Sequence, residues 1–145
     1  MQKIIATTLL AVLTLTGCAS MSGGAKPSSD WKYIMTTGEY NSTKHYVLPS
    51  SVKLEDNGVR SGYFMDVHSE PKLLANGKSY TVRVDQISTT CAGGYFNVLS
   101  SYAFDKPILD KEHIVVKFNV DPSYEVSGAR ENSLGWHKIQ YLCSR

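Results

Sequence analysis

No stretch of this 145-residue chain supplies the roughly 20 consecutive apolar residues that a helix needs to cross about 30 Å of hydrocarbon. The longest apolar run, Ile4 to Leu15, is short and interrupted by threonines. Charge of one sign is also lacking: 15 Lys and Arg face 13 Asp and Glu. No basic stripe marks a nucleic-acid face and no acidic tract marks a solvated tail. Nucleotide and hydrolase signatures are missing as well, with no P-loop, no GxGxxG and no GxSxG elbow. The "SGG" at 22–24 and the "AGG" at 92–94 lack the Lys and the following helix that phosphate cradling requires, so they read as tether and turn. His45, His68, His113 and His137 stand on separate segments without HxxxH or HExxH spacing, and read as surface or hydrogen-bonded side chains. Neither a metal nor a cofactor is expected. Asp56, Asp66, Glu70 and Asp85 could serve acid–base chemistry only if the fold opposed two of them, and they read as solvated strand faces and turns. "NST" at 41–43 is read as a turn.

What is present begins with an export signal. Lys3 supplies a positive start, Ile4 to Leu15 an apolar segment, and small residues follow. Leu15-Thr16-Gly17-Cys18 resembles the lipobox of bacterial lipoproteins, an aliphatic residue and two small ones before a cysteine. A peptidase at the membrane surface needs small side chains beside the bond it cuts, and only a thiol can carry the diacylglycerol. The resemblance implies that residues 1–17 are removed, that Cys18 is acylated, and that the mature chain is held to the membrane by several acyl chains, each buried methylene contributing about 0.8 kcal/mol. Ala19 follows, not the Asp that in many Gram-negative lipoproteins signals inner-membrane retention, which points to the outer membrane. Loss of residues 1–17 removes one Lys and leaves 14 basic against 13 acidic residues.

With Cys18 assigned to lipid, Cys91 and Cys143 remain. An even remainder in an oxidising compartment reads as one structural disulfide. Neither a metal pair nor a redox pair has the CxxC or CxxH spacing it would need. Closing a loop of about fifty residues restricts the unfolded chain by roughly 4 kcal/mol at most.

Residues 18–30, "CASMSGGAKPSSD", are Ser- and Gly-rich and read as a flexible tether, able to reach about 40 Å extended or about 20 Å as a coil. Residues 31–145 form one domain, its β-type runs separated by turn signals. "WKYIMTT" and "KHYVLP" bracket the turn "GEYNS". "SVKLED" leads into Asn57-Gly58, the strongest hairpin signal in the chain, and "VRSGYFMDVHS" returns. After Asn76-Gly77 come "SYTVRVDQISTTC", whose alternation needs one slip at a bulge, then "YFNVLSSYAFD" and "HIVVKFNV". The end changes period: Leu134, Ile139, Leu142 and Cys143 recur at helical spacing, with Asn132 or Ser133 placed to cap the first turn. The expected fold is α+β, an antiparallel meander of about six strands backed by one C-terminal helix whose Ile139, Leu142 and Cys143 face lies on the sheet.

Taken with the lipobox, "YVLPSSVKLEDNG", "YTVRVDQISTTCAGGYFNVLSSYAFD" and the capped segment Ser133 to Cys143 give residues 31–143 a pattern similar to the surface-adhesin protein E family of Gram-negative lipoproteins. The chain departs from that family where "YEVSGARENS" replaces its usual lead-in to the helix. The resemblance implies a sheet backed by the helix, one disulfide and outer-membrane display, and it allows a homodimer. Some members of the family bind host matrix glycoproteins or haem, and many have no assigned role.

Nine Tyr and two Trp are the remaining compositional signal. Tyrosine offers a rigid apolar face with a polar tip and is enriched at interfaces, although it also half-buries well in sheets. A mixed basic and aromatic binding face is expected at Lys78, Tyr80, Arg83 and Tyr95. The function expected is recognition, not catalysis, by a lipid-anchored domain facing a host or envelope macromolecule. The alternatives are an accessory lipoprotein of an envelope complex and a hydrolase with convergent His and carboxylates.

Overall fold

The computed structural model describes residues 27–145, so the segment expected to be a signal, the expected acylation site Cys18 and most of the expected tether lie outside the described residues. Alternating side chains and turn glycines produce eight strands: β1 (Lys32–Thr37), β2 (Thr43–Val47), β3 (Lys53–Leu54), β4 (Arg60–Leu73), β5 (Ser79–Thr89), β6 (Tyr95–Phe104), β7 (Ile114–Lys117) and β8 (Glu125–Ser127). One helix, α1 (Leu134–Cys143), closes the fold. All pairings are antiparallel within one sheet, whose main path runs β1-β2-β4-β5-β6-β7. The expected six-stranded meander is therefore present along that path. Two short strands are added to it: β3 pairs with the start of β4, and β8 pairs with the start of β6.

Turns sit where local chemistry demands them. Asn57 and Gly58 both adopt positive φ between β3 and β4, the conformation that Asn-Gly accepts at least cost. The bulge expected in β5 falls opposite it: Gln86 pairs with Ser100 and Ile87 with Val98, leaving Leu99 as the extra residue on β6.

Because side chains alternate across a strand, neighbours on β4 build different cores. Phe64 joins Val47, Ile87, Phe96, Ile139 and Leu142 beneath α1. Met65 joins Val82 and Phe104 on the opposite face, with Trp31, Tyr46 and Tyr102 packed around them. The Ser133 hydroxyl caps α1 by accepting from the Trp136 amide at 3.1 Å. A Cβ on Gly135 would lie 2.9 Å from the Gly128 Cα, so this pair of glycines lets α1 approach the end of β8. Cys91 and Cys143 are joined, with Cα atoms 5.8 Å apart and a sequence separation of 52.

Candidate functional site

Alpha-helix α1 covers only part of its face of the sheet. On the remainder, register places polar side chains in rows. Met35, His45, Asp66, Arg83 and Ala103 are successive cross-strand partners from β1 to β6. A neighbouring row holds Thr37, Thr43 and His68. Directly paired residues share a face, so these rows form one polar surface beside the helix.

His45 lies at its centre and is only 3% exposed. Its Nδ1 is 2.7 Å from Asp66 Oδ1 and its Nε2 is 2.8 Å from Thr37 Oγ1. With Asp66 ionised, Nδ1 donates to the carboxylate and Nε2 accepts from the hydroxyl. Burial alone would push the Asp66 carboxyl up. The His45 hydrogen bond and the field of Lys138 and the two imidazoles outweigh that and hold it below the usual carboxylate range. The order of hydroxyl, imidazole and carboxylate matches a nucleophile, base and orienting group. Here the imidazole is enclosed and it and its two partners stand on three adjacent strands, so the chain of bonds ties β1, β2 and β4 together.

His68 Nδ1 is 2.9 Å from Thr43 Oγ1, and its Nε2 is buried with no hydrogen-bond partner. Burial holds this imidazole below its ordinary value, against the opposing pull of Asp66. Tyr80 stands edge-on to His68 at 5.5 Å and to Phe118 at 5.9 Å. Arg83 donates from Nε to Asp85 Oδ1 at 2.9 Å and to Ser101 Oγ at 3.0 Å, while its guanidinium carbon lies 5.0 Å from the Phe118 ring centre. Lys138 reaches in from α1, 5% exposed, its Nζ 5.5 Å from the Phe64 ring centre. Among the described residues, no group of three or more His, Cys, Asp or Glu side chains is placed to hold a metal ion, and no helix is long and apolar enough to cross a membrane.

The four residues singled out for binding do not form one face near the disulfide. Tyr80 and Arg83 meet at Phe118. Lys78 is in the β4–β5 turn, lining a shallow groove with Asp105 and His113. Tyr95 is exposed at the start of β6, where Thr89 links its carbonyl to the Cys91 amide. Those ends are about 30 Å apart along β5, because that strand runs the length of the sheet. Sequence reasoning missed the grouping of His45, Asp66, His68 and Lys138. The available signal was alternation: Thr43, His45 and Val47 on one strand and Phe64, Asp66 and His68 on the next share a parity that only the register joins.

A second feature lies at the end of the sheet remote from the disulfide. Beyond the β1–β2 turn, the β4–β5 turn and the β6–β7 connection, Tyr40 (90% exposed), Leu73 (78%), Ile108, Leu109 and Ile114 present apolar surface to solvent. The described chain enters from the other direction, through Trp31 into the end of β1 that pairs with Val47. Compared with family models, curated proteins and solved structures, the chain gives no match.

Proposed function

We propose that the chain is a lipid-anchored protein of the outer membrane, attached through Cys18, whose domain of residues 31–145 recognises a host or envelope macromolecule and performs no catalysis. The observation that carries this reading is the exposed apolar rim of Tyr40, Leu73, Ile108, Leu109 and Ile114. Apolar side chains exposed together at one end of a small domain mark contact surfaces. The rim is carried by the turns furthest from where the chain enters the sheet at Trp31, so a tether there leaves it free to meet a partner. Lys78, in the turn beside Leu73, adds a cation at its border.

The test is capture from solubilised envelope and from matrix glycoproteins, using the lipidated chain and its Tyr40→Ala/Leu73→Ser variant. The expected result is at least a tenfold loss of capture at an unchanged melting temperature, and equal capture by both proteins overturns the reading. Stoichiometric partners from the same cell identify an accessory subunit, and matrix proteins identify an adhesin. The anchor is tested separately, because Cys18→Ala abolishes membrane retention if Cys18 carries the lipid.

A further inference from the structure

We propose that the groove between β1 and α1 receives an extended acidic segment of a partner protein, which adds to the sheet as a strand beside β1. The groove has a volume of about 260 Å³. One wall is Lys32, Tyr33 and Ile34 of β1, and the other is His137, Tyr141 and Ser144, which recur at helical spacing on one side of α1. From His137 to Ser144 a helix rises about 10 Å, the length of about three residues of extended chain. Strand β1 is the outermost of its sheet, and among the described residues it pairs with β2 alone. In an antiparallel pair about half of an edge strand's N–H and C=O groups point away from its partner, free to take up another strand. The register shift between Tyr33 and Met35 leaves Ile34 without a partner on β2, which adds an unpaired peptide to the wall of the groove. The Ile34 side chain packs against the core beneath α1, while the Tyr33 ring packs on Tyr46 of the opposite face, so the backbone between them borders the groove.

The side chains beside the groove define the occupant's chemistry. Lys32 Nζ lies 5.6 Å from the Tyr141 ring centre and the Arg145 guanidinium carbon 4.9 Å from it, and Arg145 Nη2 donates to Tyr141 Oη at 3.0 Å. Among the described residues neither cation has a carboxylate within 4.0 Å. Two cations gathered on one ring complement a carboxylate side chain of an incoming strand and repel a basic one. Main-chain hydrogen bonds to β1 would supply the affinity, and these cations the preference for acidic sequence.

The experiment is an NMR titration of the full chain, solubilised in neutral detergent, with end-blocked hexapeptides of alternating Glu and Val in one arm and alternating Lys and Val in the other. Saturable amide shifts from Lys32 to Met35 and slowed exchange of β1 amides are expected with the Glu peptide, and at least tenfold weaker binding with the Lys peptide. Methylating the backbone nitrogens of the Glu peptide keeps its side chains but removes its donors, and should abolish saturation. Lys32→Glu should weaken binding of the Glu peptide at least tenfold at an unchanged melting temperature. Absence of saturation with the Glu peptide overturns the proposal, as does equal binding of its methylated form. A different occupant also overturns it: slowing of β1 exchange with protein concentration alone identifies a second copy, and β1 amides that exchange freely only after deletion of residues 19–26 identify this chain's own preceding segment.

Discussion

His45 uses both ring nitrogens inside the sheet, and its two partners differ in what they tolerate. Replacing Asp66 by Asn removes the charge that fixes the imidazole, with an expected loss of about 2 kcal/mol in urea unfolding; Thr37→Val removes one neutral bond, with a loss of about 1 kcal/mol. Acid should act on this face in two stages. The His68 imidazole is held below its ordinary value of 6.5, with Asp66, Lys72, His45 and Arg83 facing it. The unfolded chain therefore takes up that proton first, and stability falls as pH drops below about 6.5 until the folded group also titrates. The Asp66 carboxyl is likewise held below its ordinary 3.8, so its contribution is complete above that value and is lost as pH falls through the folded-state value. Urea midpoints measured from pH 8 to pH 3 should show both stages, and His68→Gln should remove only the upper one.

Elements in this fold form where their determinants are local, and helix α1 illustrates the limit of that rule. Its start was readable from Ser133, its buried face from Ile139 and Leu142, and the hairpin before β4 from Asn57-Gly58. Gly135 read as a cost of about 1 kcal/mol in helix propensity, and the reason for it was not readable. Its need arises from Gly128, in the loop that follows β8. A Cβ on Gly128 would lie 2.6 Å from the Ile139 Cδ1 and 2.8 Å from the Gly135 carbonyl carbon. Gly128→Ala should accordingly cost about 2 kcal/mol or more by overpacking. Gly135→Ala should cost less because the gain in helix propensity offsets part of the clash; thermal unfolding of the two variants gives the order. Strand β8 was unreadable for a related reason. Glu125-Val126-Ser127 has too few residues to show a period, and it becomes a strand only because the start of β6 offers an open edge. The same holds for the His45, Asp66 and Arg83 row. Each residue alternates correctly along its own strand, but the partner opposite is set by turn lengths and by the irregularity in β4 between Val67 and Lys72.

Across the whole molecule, a single sheet connects two ends with different duties. One holds the disulfide and Tyr95 and receives the chain that enters through Trp31; the other exposes Tyr40 and Leu73. Opening the bridge with Cys143→Ala should lower stability by up to about 4 kcal/mol, a large share of the total for a domain of this size. Hydrogen exchange should accelerate first in α1 and only later in β4 to β6, since the helix is then held by side-chain packing alone, chiefly Ile139 and Leu142 on the sheet. The bridge thereby also imposes an order in time. Strands β4, β5 and β6 join through short turns and can assemble early, whereas α1 must return across 52 positions to reach Cys91. Until the thiols are oxidised, Val47, Phe64 and Ile87 are covered by a helix that can lift away, and the newly made chain carries a sticky strip. Oxidation of one thiol pair turns that transient, aggregation-prone intermediate into a sealed domain, so its maturation rate is set by access to an oxidant as much as by the folding of the sheet.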